Sequence, residues 1–160
     1  MHLRLDGYGD RKCLNNAEYM RAFMVGLARI AGMTVVNGPN IHDFAQGDPS
    51  KHGLTAFTMI AESHIACHTW PERGRTSKEG WMSLDLYSCK EFDAARARDY
   101  AIHSFGLEAL TLDDIDRDRG GPPVVARESG VPRSVFLGYN QPEEHNDSRM
   151  GLTPRRQACE

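Results

Sequence analysis

Three successive segments of this chain read as strands, and the links between them are short. Residues 54–61 are apolar enough for a strand. In residues 63–70, His64, Ala66, His68 and Trp70 fall on one face, and Ile65, Cys67 and Thr69 on the other, because successive strand side chains point to opposite sides. Residues 81–88 alternate again, with Met82, Leu84 and Leu86 on one face and Trp81, Ser83, Asp85 and Tyr87 on the other. A polar break at Glu62-Ser63 divides the first two segments. A polar loop over residues 73–80, with two glycines, precedes the third. Strands joined by short links pair antiparallel, so the middle of the chain is committed to an antiparallel sheet.

The flanks supply helices. Asn15 or Asn16 can cap one, since an asparagine side chain accepts an unpaired helix N–H. Met20, Phe23, Leu27 and Ile30 then recur every three or four residues, and Gly32 is a natural stop. Asp93 can cap a second helix with the stripe Ala94, Ala97, Ala101 and Phe105, ended by Gly106. Residues 3–6 alternate weakly as a strand, and Gly7-Tyr8-Gly9-Asp10 reads as a turn. Residues 33–36 suggest a short buried strand, residues 37–53 a loop, and residues 107–112 a last strand. The expected order is β-α-β-β-β-β-α-β. The fold class is α+β: a two-layer α/β sandwich, mainly antiparallel, with two helices on one face of the sheet.

The chain has 160 residues, enough for one domain and a tail. Its net charge of −3 provides no basic field for nucleic acid or an anionic membrane. No apolar run approaches the roughly eighteen residues of a membrane span. The charged opening, His2 to Asp6, is unlike a secretory signal, so a soluble, cytoplasmic chain is expected. Cys13, Cys67, Cys89 and Cys159 form no C-x-x-C pair, and reduced thiols are expected. After residue 116 the character changes. Five of the eight prolines lie there, and periodicity is lost. An extended or disordered tail is expected, with Val135-Phe136-Leu137 as one apolar clump that can dock.

The chemistry-bearing side chains concentrate in residues 61–72, which hold two acids, two hydroxyls, two histidines, a thiol and an indole. One reading is a strand with merely solvated polar residues. A second is a metal site. His64 and His68 share a face, but four strand residues separate them by about 13 Å, too far for bonds of about 2 Å to one ion. No metal is expected. The third reading is a nucleophilic serine. Ser63 lies where one strand ends and the next begins, so its backbone can be strained. Its hydroxyl can attack the carbonyl of Glu62 if a base takes the proton. No Gly-x-Ser-x-Gly elbow surrounds it, which argues against an α/β-hydrolase.

Glu62-Ser63-His64-Ile65, then His68-Thr69-Trp70-Pro71-Glu72, then Asp85-Leu86-Tyr87-Ser88-Cys89, closely resembles the S-adenosylmethionine decarboxylase proenzymes, in the short bacterial and archaeal form. His2-Leu3 with Leu5-Asp6, His42 with Phe44, and Gly53-Leu54-Thr55 fit the same order. The resemblance covers about residues 2–119. It implies a decarboxylase domain over residues 1–119 and a tail over residues 120–160. It also implies cleavage between Glu62 and Ser63 by an N-to-O acyl shift and β-elimination. The products would be a β chain of residues 1–62 and an α chain of residues 63–160 that begins with a pyruvoyl group made from Ser63. That carbonyl would form a Schiff base with the substrate amine and act as an electron sink.

The resemblance further implies that His68 assists processing and that Cys89 donates the proton to the substrate α-carbon. It implies that Phe44 stacks on adenine, that Trp70 borders the pocket, and that Glu72 binds the ribose hydroxyls. The substrate is then S-adenosylmethionine and the product the aminopropyl donor for spermidine, made by a homodimer of processed protomers. Three departures bear on this. Thr55 stands where the family usually has a processing serine, and the loops after Phe44 and after Glu72 are longer than usual. Two alternatives follow. One is a related pyruvoyl decarboxylase of arginine or ornithine, and the other a non-catalytic homologue serving as a partner subunit.

Overall fold

The computed structural model describes residues 1–44 and 52–115. The expected tail, its apolar clump, the domain boundary near residue 119 and most of the loop after Phe44 lie outside the described residues. In chain order the elements are β1 (His2–Asp10), α1 (Arg11–Leu14), α2 (Ala17–Ile30), β2 (Val35–Asp43), β3 (Leu54–Ile60), β4 (Ser63–Trp70), β5 (Glu79–Ser88), α3 (Ala94–Phe105) and β6 (Glu108–Ile115). The sheet has six strands in the order β2-β3-β4-β5-β1-β6. Every neighbouring pair is antiparallel. The two-layer α+β architecture is as expected.

The helices start and stop for the reasons visible in their sequences. Asn16 Oδ1 accepts from the Tyr19 N–H at 2.9 Å, and Asp93 Oδ1 from the Arg96 N–H at 2.9 Å. Gly106 ends α3 at φ 59°, a left-handed position that costs a glycine little. Between helices and sheet lies one core. It takes Leu3 and Leu5 from β1, Ile65 and Cys67 from β4, Met82, Leu84 and Leu86 from β5, and Met20, Phe23, Met24, Leu27, Tyr100 and Phe105 from the helices. Phe23 stacks on Tyr100 with centroids 5.5 Å apart and meets Phe105 edge-on at 4.7 Å. It is fully buried. Phe23→Ala is expected to cost about 3–5 kcal/mol of folding stability, read as a lower urea midpoint at unchanged slope.

Four expectations are corrected. Gly7 to Asp10 is not a turn but the second half of β1, paired with residues 79–82 of β5. Its glycine serves close packing. A Cβ on Gly9 would sit 2.8 Å from Leu107 Cδ2 and 3.0 Å from the Phe105 carbonyl oxygen. Residues 33–36 do not form a buried strand, because Val35 and Val36 open an exposed edge strand. That strand runs on through residues 37–43, which were expected as loop. Its pairing with β3 shifts register twice, between Val35 and Asn37 and again across Gly38-Pro39. A proline survives there because an edge strand needs no ladder N–H on its outer side. Cys67 and Cys89 are free thiols, but Cys13 is disulfide-bonded rather than reduced.

Candidate active site

Because the helices cover one face, the other face of β1, β3, β4 and β5 is open. The alternation puts Thr55, Phe57, Met59, His64, Ala66, His68, Trp70, Asp85 and Tyr87 there. Each is half-buried or exposed, while the residues between them are buried. Phe57 and Met59 keep 40% and 47% of their surface in solvent. Among the described residues no helix is long and apolar enough to cross a membrane, and no cluster of three metal-ligating side chains forms.

One group of functional side chains gathers at the β3–β4 turn. Ser63 has φ 149°, a region that an L side chain adopts at a cost of about 1–3 kcal/mol. The turn fixes it, since Ser63 pairs with Ile60 on one side and Ser88 on the other. Its Oγ is 3.1 Å from His64 Nδ1. The carbonyl of Glu62, just before it, accepts from the Cys89 N–H at 2.9 Å. A backbone donor on that oxygen is suited to charge that develops when the carbonyl is attacked. The Glu62 side chain accepts from the Thr34 N–H at 3.1 Å. The chain start closes the arrangement. The Met1 ammonium donates to the Ser88 carbonyl at 2.7 Å, and the Ser88 N–H donates to the Met1 carbonyl at 3.0 Å. The exposed Cys89 follows directly.

A second group lies at the far end of β4. His68 Nδ1 is 3.1 Å from Thr55 Oγ1, its cross-strand partner. The His68 and Trp70 rings are 6.0 Å apart. Phe44 meets Trp70 edge-on at 6.5 Å, and the Arg73 guanidinium lies 5.2 Å from the Trp70 centroid. Glu72 is ion-paired with Arg11. The fold thus brings Glu62, Ser63 and Cys89 together, and separately Phe44, Thr55, His68 and Trp70, while Glu72, two residues beyond β4, is held by Arg11. Within one chain the groups do not meet, because five strand residues separate Ser63 from His68, about 16 Å. A cleft of about 670 Å³ beside Arg11, Lys12, Asn16 and Ser77 contains none of these expected residues.

The family model for S-adenosylmethionine decarboxylase matches residues 1–118, and so spans both groups. The chain belongs to the S-adenosylmethionine decarboxylase family. A relative from Aquifex aeolicus, named S-adenosylmethionine decarboxylase proenzyme, is 34% identical over 139 residues, 86% of this chain and 90% of its own. One of the same name from Sulfurihydrogenibium is 29% identical, over 78% of this chain and 84% of its own. A relative from Caldivirga maquilingensis is named arginine decarboxylase proenzyme. It is 31% identical over 66% of this chain and 73% of its own. The crystal structure of the adenosylmethionine decarboxylase from Aquifex aeolicus superposes with a TM-score of 0.57 at 28% identity, over 76% of this chain and 95% of that one.

Placed on this S-adenosylmethionine decarboxylase fold, three residues to which the sequence gives no catalytic role lie with the first group. His64 is the neighbour of the Ser63 hydroxyl. Asp85 stands beside it, with Oδ1 3.9 Å from His64 Nε2. His2 Nε2 contacts the other Asp85 oxygen at 2.8 Å. One signal was available: His64 and Asp85 both fall on the polar faces of strands expected to be neighbours. The β5 register that makes them meet was not readable.

Proposed function

We propose that this chain is a self-processing, pyruvoyl-dependent decarboxylase of S-adenosylmethionine, supplying the decarboxylated aminopropyl donor for spermidine. The observation that carries the reading is the strained Ser63 at the turn, with its hydroxyl partnered and the preceding carbonyl held by a backbone donor. That combination fits attack of Ser63 Oγ on Glu62, and so fits a prosthetic group made from Ser63. When formed, the pyruvoyl group supplies an electron sink for the charge left by loss of carbon dioxide. Cys89, next to the scissile bond, is placed to return a proton to the substrate. Phe44 and Trp70 offer aromatic faces for adenine, and such faces also attract a sulfonium cation. Glu72 offers acceptors for ribose hydroxyls, which it would share with Arg11.

The same reading asks for two copies. His68 and Thr55 reach Ser63 only if a second protomer lays its open face across the first, running the other way. The exposed Phe57 and Met59 support such a contact. The domain ends near residue 119 in this proposal, with residues 120–160 as a tail.

A second reading, decarboxylation of arginine or a similar basic amino acid, is favoured by the Caldivirga maquilingensis relative. Phe44, Trp70 and Glu72 weigh against it, since arginine has neither adenine nor ribose. The deciding experiment is release of labelled carbon dioxide by the purified chain from S-adenosylmethionine, arginine and ornithine in parallel. Turnover is expected with S-adenosylmethionine alone. Turnover of arginine or ornithine without S-adenosylmethionine would overturn the substrate assignment, and no turnover from a chain that stays whole would point to a non-catalytic homologue.

A further inference from the structure

We propose that His64 is the base that takes the Ser63 hydroxyl proton during self-cleavage. This rests on the reading above, that the chain is cut before Ser63. His64 Nδ1 lies 3.1 Å from Ser63 Oγ, the range in which a general base works. Which nitrogen carries the proton decides whether it can act. The Asp85 carboxylate stands on the Nε2 side at 3.9 Å. That is too long for a direct hydrogen bond, but the charge favours a proton on Nε2 and leaves the Nδ1 lone pair facing the hydroxyl. Asp85 is itself held by His2 at 2.8 Å.

The ring is fixed in place by its neighbours. Phe57 stacks on it at 5.7 Å with planes 22° apart, and Tyr87 lies tilted at 5.7 Å. Other titratable groups on this side include Glu62 before the turn, the exposed Cys89 after β5, Tyr87 and His68 on the same open face, and Arg4, the cross-strand partner of Asp85. Once His64 is protonated, the carboxylate also stabilises the imidazolium. His68 is contacted by Thr55 and Trp70 instead, so within one chain it is not the group on Ser63.

The step balances without an outside reagent. The Ser63 O–H bond breaks and its proton passes to Nδ1. Oγ bonds to the Glu62 carbonyl carbon, whose oxygen keeps the Cys89 N–H. The Glu62–Ser63 C–N bond then breaks, and Nδ1 returns the proton to the Ser63 nitrogen. The product is an ester with a free amine, ready for β-elimination.

The test is cell-free synthesis of the full chain, with intact mass followed over time for the parent, Ser63→Ala, His64→Ala, His64→Gln and His68→Ala. The His64 side chain is 37% exposed, so its loss opens no core cavity. Glutamine keeps a polar group near Ser63 but cannot take a proton. Both His64 variants are expected to cleave about 100-fold or more slowly than the parent, in keeping with loss of a general base. If either cleaves within about 3-fold of the parent, far below what a general base contributes, the proposal is overturned, the more so if His68→Ala alone stays whole. Ser63→Ala separates this from the larger reading: cleavage of that variant before residue 63 would sink self-processing itself.

Discussion

Ser63→Ala leaves the chain whole and without decarboxylase activity. Denaturing electrophoresis should show one band where the parent shows two, and labelled S-adenosylmethionine should release no carbon dioxide above background. The expectation is all-or-none because one oxygen atom serves both events. Without Oγ nothing attacks the Glu62 carbonyl, so the 62–63 bond survives as an ordinary amide. Without the acyl shift and elimination, no carbonyl group is made at position 63. Alanine is also a mild replacement. Its side chain is smaller, and the position is half-buried at a turn rather than in the core. The strained φ of 149° remains, so a folded, uncut protein is the expected product. Release of carbon dioxide at the parent rate by the alanine variant would refute the pyruvoyl mechanism outright.

The sequence draws attention to Ser63 through two signals, a polar break between two strands and a specific surrounding motif, and the structure places Ser63 at the β3–β4 turn. β4 was legible to the residue, since alternation from His64 to Trp70 has one strand reading. The two long helices were legible because Asn16, Asp93 and Gly106 punctuate an apolar stripe. Residues 37–43 were not, because Asn, Gly and Pro signal turns by composition, whereas here they form a bulged edge where a missing donor does no harm. Gly7 to Asp10 misled for a similar reason. Glycine at position 9 answers to the close approach of Leu107 and Phe105 from a distant part of the chain. His64 was weighed only as a metal ligand. Its partnership with Ser63 depends on the conformation of one turn, and its partnership with Asp85 on the β4–β5 register. Neither quantity is local in sequence. The distance between Ser63 and His68 already follows from the strand reading of residues 63–70; what spacing along one strand does not reveal is which side chains of neighbouring strands join each of them.

Cys89→Ala separates the two stages that Ser63→Ala abolishes together. The contact that position 89 makes with the scissile bond is through its backbone N–H, 2.9 Å from the Glu62 carbonyl. Alanine retains that N–H, so cleavage into two chains should proceed at close to the parent rate. The thiol is exposed and free, so its removal leaves no buried cavity. What is lost is a proton source beside position 63. After carbon dioxide leaves, the substrate α-carbon must take a proton before product can depart. A positioned donor contributes about 10²–10⁴-fold to such a transfer. Product formation by Cys89→Ala should therefore fall by about that factor, 100-fold at least, with intact mass showing normal cleavage. A serine at 89 should recover little, because an unactivated hydroxyl is a far weaker acid than a thiol. Full turnover by the alanine variant would move the donor elsewhere on the open face, with Tyr87, whose ring lies 5.7 Å from His64, the first residue to test. Failure of Cys89→Ala to cleave, with the fold intact, would mean that the thiol and not the backbone amide serves the processing step.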